Sequence, residues 1–290
     1  MKFKIFLDSG AFSAFMNKAT VSLQNYIDYI LENEQYIETY ACLDDIGSPE
    51  KTWENQREME RQGLSPLPVY HMGEPEEFFQ RVLEYPHFAV GGIASSVKGS
   101  GSLQNHLDIL FSRICTEKTD YYPSHKVHGF GIAIPQLIAR YPFYSIDTSS
   151  WVAYGKYGII LVPRKVHGKL RFDVSPYTVT VSTRSKAVGE AKHFQHLPKI
   201  EQDWIIEYCG NHGMQMGIST FTKCPLGQKL EKNQHRVSKG SEDVEVVLEK
   251  GLINDHESRD RMNLIFFLEM EKHQPKWPWR WYQQKKEGLF

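Results

Sequence analysis

Six times in the first 150 residues, a short apolar run ends on a polar or glycine residue and is followed by a helix-like stretch. This alternation constrains the fold more than any other feature of the chain. Lys4–Asp8 reads as the first strand, Tyr40–Asp44 as the second and Leu67–His71 as the third. Phe88–Gly91, Lys126–Gly131 and Phe143–Asp147 follow. Between them, Ser22 caps a helix whose Leu23, Tyr26, Ile27, Ile30 and Leu31 fall at helical spacing. Ser48-Pro49-Glu50 opens the next helix, with proline and an acid in its first turn. Phe78–Tyr85, Leu103–Cys115 and Pro135–Arg140 complete the set. A closed barrel and an open doubly wound sheet share this alternation, and the placing of the polar residues favours the barrel. Asp8, Asp44, His71, Gly91-Gly92, His128-Gly129 and Asp147 all fall at the C-terminal ends of strands, which in a barrel form one ring. The expected fold is α/β: a TIM-like (β/α)8 barrel, incomplete or atypical, with a β-rich insertion and C-terminal helices.

Past Trp151 the pattern loosens. Gly158–Pro163, Lys169–Val174 and Thr178–Thr183 read as strands of the insertion, Ile200–Cys209 as a helix and Gln215–Thr220 as a late barrel strand. Residues 224–240 read as a polar, basic loop, and Glu242–Leu252 and Glu257–Glu271 as helices. The organisation expected is a barrel-like catalytic domain over residues 1–220, with the basic insertion near 156–198. A basic loop and helical extension follow over 221–290.

The chain has 290 residues and is 41% hydrophobic, enough to bury a sizeable core. No apolar run approaches the roughly 18 residues that span a bilayer. The start, Met1-Lys-Phe-Lys-Ile-Phe-Leu-Asp8, runs into an acid too early for a secretory leader. Cys42, Cys115, Cys209 and Cys224 are scattered, which suits a reducing cytoplasm rather than a disulfide framework. Net charge is −1, but it is unevenly spread. Residues 1–150 hold 12 Lys and Arg against 19 Asp and Glu, whereas residues 151–290 hold 22 against 16. One half is suited to an acidic centre and the other to a polyanion, although ordinary surface variation gives the same asymmetry.

Four strand ends carry chemistry. Asp8-Ser9-Gly10 places a carboxylate beside a tight turn. In Asp44-Asp45 one acid can face the pocket while the other caps the helix beginning at Pro49. A carboxylate accepts two neighbouring N–H donors, as on the edge of a guanine-like base. Gly91-Gly92 lets a ligand approach the backbone. Asp147, followed by Thr148-Ser149-Ser150, is placed to act as a nucleophile. Asp8 and Asp147 together form a carboxylate pair of the kind that breaks glycosidic bonds.

In order, Asp8-Ser-Gly-Ala-Phe12, Leu43-Asp-Asp45, Gly91-Gly-Ile-Ala94, His128-Gly-Phe-Gly131 and Ile146-Asp147 resemble the strand-end motifs of queuine/archaeosine-type tRNA-guanine transglycosylases. The Ser-Gly-Ala-Phe wording and Tyr141-Pro-Phe-Tyr-Ser-Ile-Asp-Thr-Ser-Ser-Trp151 are closer to the phage and bacterial DNA-guanine transglycosylases, which install 7-deazaguanines. The similarity covers about residues 5–151. It implies that Asp147 is the nucleophile forming a covalent glycosyl–enzyme intermediate, and that Asp8 is the general acid and base. It also implies that Asp44 binds the base edge, and that Ser9, Asp45, Gly91, Gly92, Ala94, His128 and Gly129 shape the base pocket. His71 stands where the tRNA enzymes carry a base-reading Gln. The incoming base would be a 7-deazaguanine such as a preQ0-type precursor, and the polymer DNA, with tRNA as the alternative.

Two departures bear on the polymer. The Cys-x-Cys-x-x-Cys plus His zinc site of the tRNA enzymes is absent; only Cys209, His212 and Cys224 remain, without that spacing, so no cofactor is expected, with zinc on those three residues as the lesser alternative. The strands that precede the first Asp motif in the tRNA enzymes have no counterpart before Asp8. Both favour DNA. On the basic insertion, Arg164, Lys165, Lys169, Arg171, Arg184 and Lys186 are candidate phosphate contacts. The tail around Trp277, Trp279, Arg280 and Trp281 mixes cations with aromatics, as single-strand binders do, but reads first as a segment docked on the core. The scattered histidines lack the His-x-His of a barrel metallohydrolase. The rival functions are hydrolysis of an N-glycosidic bond without exchange and a non-catalytic partner subunit; retention of both Asp8 and Asp147 counts against the second.

Overall fold

The computed structural model describes residues 5–91, 100–185 and 193–282, so Gly92, Ala94 and Lys186 lie outside the described residues. The chain is mixed α/β and divides into two compact units. The first takes residues 1–133, 137–148 and 275–290; the second takes 134–136 and 149–274. The boundary expected near residue 220 falls inside a strand of the second unit.

The first unit runs β1 (Ile5–Leu7), α1 (Ala11–Met16), α2 (Leu23–Asn33), β2 (Ile37–Tyr40), α3 (Pro49–Arg61) and β3 (Val69–His71). It continues with α4 (Glu76–Val82), β4 (His87–Gly91), α5 (Ser100–Ile114), β5 (Lys126–Gly129), α6 (Pro135–Arg140) and β6 (Ser145–Ile146). β1 pairs parallel with β2, and a parallel bridge from Ala41 to Leu67 carries the pairing towards β3. β3, β4, β5 and β6 then pair parallel in that order. In a flat sheet, four strand spacings would set β1 about 19 Å from β5. The rings of Phe6 on β1 and His128 on β5 nevertheless stack with centroids 4.3 Å apart. The parallel array is therefore strongly curved, and its strand ends converge.

The helices of this unit form where the sequence places their caps and apolar stripes. The Ser22 side chain accepts the Asn25 N–H to start α2, whose Tyr26, Ile27 and Ile30 are buried against Ala41, Leu43, Val69 and Ala89. Burial of Ile27 and Ile30 contributes about 2 kcal/mol each. The Ser48 side chain caps α3 by accepting the Lys51 N–H at 3.3 Å, so the cap expected from the Asp44-Asp45 pair belongs to Ser48 instead. Residues 275–282 return to this unit as a docked tail. Trp281 is buried against Phe111 and Tyr141, and the Trp277 indole N–H donates to the Pro142 carbonyl at 3.1 Å.

The second unit holds α7 (Ser150–Lys156), β7 (Ile159–Val162), β8 (Arg164–Val166), β9 (Lys169–Arg171) and β10 (Tyr177–Thr180). α8 (Lys199–Asn211), β11 (Ile218–Lys223), β12 (Gln234–Arg236), β13 (Asp243–Glu249) and α9 (His256–His273) complete it. All its strand pairs named here are antiparallel: β7 with β10, β8 with β9, and β13 between β11 and β12. Three expectations are corrected. Glu242–Leu252 is mostly a strand, because Val244, Val246 and Val247 suit a pleated surface and β13 is paired on both sides. Gln215–Thr220 overlaps β11, which pairs antiparallel with β13 and is no parallel barrel strand. Residues 224–240 contain β12. The core joins Ile160, Val162, Val179, Ile205, Leu252 and Met262. Within it Asn263 of α9 donates to the carbonyls of Trp151 and Ile159, both at 3.1 Å, and accepts the Leu161 N–H at 2.7 Å. Among the described residues, no helix is long and apolar enough to cross a membrane.

Candidate active site

The C-terminal ends of β1, β2, β3, β5 and β6 bring Asp8, Ser9, Asp44, His71, His128 and Asp147 into one electrostatically coupled cluster in the first unit. Gly10, with φ of 73°, takes the left-handed turn that ends the Asp8-Ser9 segment and starts α1. Ser9 is buried and donates from Oγ to Asp44 Oδ1 at 2.7 Å. The other Asp44 oxygen, Oδ2, lies 3.0 Å from His71 Nε2. On the far side of the imidazole, His71 Nδ1 lies 2.9 Å from Glu74 Oε1, while the His71 backbone N–H donates to Glu74 Oε2 at 3.0 Å. Burial alone would depress the His71 pKa; the hydrogen bonds and charges of Asp44 and Glu74 outweigh it and raise the value to about 9.

Asp147 is gripped from the other side. It accepts the Gly131 N–H at 2.9 Å, an amide aimed at it by the left-handed Gly131 turn at φ of 68°. His128 Nε2 stands 3.6 Å from the same Asp147 oxygen, and His128 Nδ1 is held by Ser145 Oγ at 2.8 Å. His128 is buried, with Nε2 turned towards Asp147. Asp147 itself is 50% exposed. Asp8 is solvent-accessible at the rim. Desolvation by its surroundings, then the charges of Asp44 and Asp147, raise its pKa against the pull of the Gly10 and Ser9 backbone amides. A carboxyl that keeps its proton to higher pH than usual can serve as a proton donor.

The remaining predicted residues divide. Gly91 serves the site indirectly: a Cβ there would lie 2.7 Å from His71 Cδ2, so the missing side chain makes room for the imidazole. Gly129 is packed against Ile132 and Phe143, where a Cβ would come within 2.4 Å of Ile132 Cδ1. Asp45 is exposed, and its backbone N–H donates to Thr52 Oγ1 at 2.9 Å; no hydrogen bond joins its side chain to the Asp44 chain. Three contributors were missed by sequence reasoning: Glu74, Ser145 and the Gly131 amide. The signal for Glu74 was its position three residues beyond a strand-end histidine.

In the second unit, the candidate phosphate contacts are reduced. Arg184 forms an ion pair at 2.9 Å with the fully buried Glu245 and donates to the Asn254 carbonyl at 2.9 Å, so its guanidinium is already engaged within the second unit. Arg171 pairs with Asp173, and Arg164 donates to the Ser175 carbonyl at 2.8 Å while lying over the Tyr177 ring. Lys165 and Lys169 on the β8–β9 hairpin are exposed. Cys209, His212 and Cys224 do not converge; among the described residues, no group of three or more His, Cys, Asp or Glu is placed to hold a metal ion. Cys209 is buried in α8, which pushes its thiol up to about 12. Comparison with protein-family models and with curated proteins finds no match to this chain.

Proposed function

We propose that the chain is a transglycosylase that exchanges guanine in DNA for a 7-deazaguanine by double displacement. The observation that carries this reading is the curvature that stacks Phe6, two residues before Asp8, on His128, which itself stands 3.6 Å from Asp147; the raised pKa of Asp8, to which the Asp147 charge contributes, agrees with it. Asp147 attacks C1′ of the target nucleotide, the C1′–N9 bond breaks, and Asp8 gives its proton to the departing guanine. The incoming base returns a proton from N9–H to Asp8 as N9 attacks C1′ and frees the Asp147 carboxylate. One base leaves, one enters, and no proton or electron is left over. Asp44 accepts from the N–H donors of the base edge. The in-order parallel strands and their strong curvature support a barrel of the (β/α)8 type as the scaffold. The exposed cations Lys165 and Lys169 support contact with a polyanion.

The test is to incubate the full chain with radiolabelled guanine and, in parallel, duplex DNA and unmodified tRNA, and to count label retained in polymer. Label in DNA supports the reading; label in tRNA alone moves the same chemistry to RNA. Release of free guanine without incorporation replaces exchange by hydrolysis. Asp147→Ala should abolish incorporation and any trapped adduct, and wild-type incorporation by that variant would remove Asp147 as the nucleophile.

A further inference from the structure

A neutral imidazole carries one N–H, yet both ring nitrogens of His71 face carboxylate oxygens, at 3.0 Å in Asp44 and 2.9 Å in Glu74. Both contacts are hydrogen bonds only if two protons lie among the three groups. The backbone fixes the two ends of this chain. The Ala11 N–H donates to Ser9 Oγ at 3.2 Å, which leaves the Ser9 hydroxyl proton to point at Asp44 Oδ1. The His71 backbone N–H occupies Glu74 Oε2. Each carboxylate therefore has one oxygen already committed as an acceptor, and an imidazolium between two carboxylates satisfies every contact. The side chains of His71, Asp44 and Glu74 are only 12%, 12% and 10% exposed, so water competes weakly for these bonds. Among the described residues, Asp8, Tyr26 and Cys42 interact electrostatically with Asp44, and Tyr70 with Glu74.

We propose that Glu74 and His71 are a positioning pair that holds Asp44 as a carboxylate of fixed orientation, its free lone pairs offered to a base edge with two adjacent N–H donors. This deepens the base-exchange reading and rests on it for the identity of the ligand. The pair explains why a histidine can stand at this strand end without itself touching the base: its Nε2 is spent on Asp44. It selects guanine-like purines over adenine, whose corresponding edge offers a donor beside an acceptor. Loss of the second His71 proton leaves one carboxylate contact without a hydrogen between its partners, and where that contact is the one to Asp44, the Ser9 hydroxyl alone still holds the carboxylate.

The experiment combines nitrogen-15 histidine spectra of the full chain with calorimetric binding of free guanine. His71 should be doubly protonated at neutral pH and titrate at about 9. Glu74→Gln, which keeps the size and can still accept the His71 backbone N–H, should bring that midpoint down towards the ordinary imidazole value. It should also weaken guanine binding about tenfold at neutral pH while leaving polymer binding intact. Glu74→Asp should restore part of both. A singly protonated His71 at neutral pH, or a midpoint unmoved by Glu74→Gln, overturns the pair. If the wild-type chain binds no guanine although the imidazolium and its dependence on Glu74 are present, the base-exchange reading falls while the pair stands on the spectra.

Discussion

The clearest energetic consequence of the site is a pH-dependent contribution of His71 to stability. In the folded chain its pKa is about 9, against 6.5 for an ordinary imidazole. Each tenfold gain in proton affinity is worth about 1.4 kcal/mol, so the protonated ring stabilises the fold by about 3 kcal/mol, with little loss to screening because the side chain is largely buried. The sign follows from the direction: a raised pKa means that the folded chain holds a proton which the unfolded chain has released. The contribution is complete below the unfolded value of 6.5 and is lost as pH rises through about 9. Urea unfolding of the wild-type chain and of His71→Gln, across a pH series from about 6 to about 10, isolates it, since groups common to both chains cancel in the difference. The stability gap between the two should shrink by about 3 kcal/mol from the acid to the alkaline end of that series, a little under half of it above about pH 8. A gap that stays constant with pH would show that His71 folds as a neutral ring and would refute the charge assignment.

Three further outcomes are expected. Gly91→Ala should displace the imidazole and reproduce much of the His71→Gln loss, because a Cβ would come within 2.7 Å of the ring; a variant with unchanged histidine spectra would count against that contact. Reversing both charges in Lys165→Glu with Lys169→Glu should weaken polymer binding and lower the slope of log affinity against log salt by about 2 in a titration, whereas an unchanged slope returns the hairpin to plain surface. Arg184→Met leaves the Glu245 carboxylate buried without its ion partner and should cost about 3–5 kcal/mol in chemical denaturation, which a merely surface arginine would not.

Much of the first unit was legible because local signals and packing agree there. Ser22 and Ser48 cap their helices, the Ile27 and Ile30 stripe is buried, and the strand-end acids lie where the alternation places them. The site's chemistry was legible as residue types but not as partnerships. Nothing in the sequence says that His71 turns both its ring nitrogens towards acids, because Glu74 reaches it through a turn whose path depends on the structure around it. The second unit was read less well for a different reason. Asp243–Glu249 has both charge and branched side chains, and its choice of strand over helix is made by pairing with β11 on one side and β12 on the other, which its own sequence does not show. Arg184 looked like a phosphate contact because its sequence neighbourhood is basic, while its partner Glu245 is 61 residues away. Likewise Asn263, an unremarkable residue in a helix, binds three backbone groups of a distant segment.

The docked tail has a consequence for biosynthesis. Trp281 packs on Tyr141, but the whole of residues 149–274 is inserted between these two pieces of the first unit. The strands that carry Asp8 through Asp147 thus leave the ribosome well before the segment that covers Phe111 and Tyr141 has been made. At about 5–20 residues per second, the interval lasts on the order of ten seconds. During it, the nascent first unit exposes an aromatic surface that its own distant C-terminal segment will later cover, and the inserted unit has time to fold as a separate body before that surface is sealed.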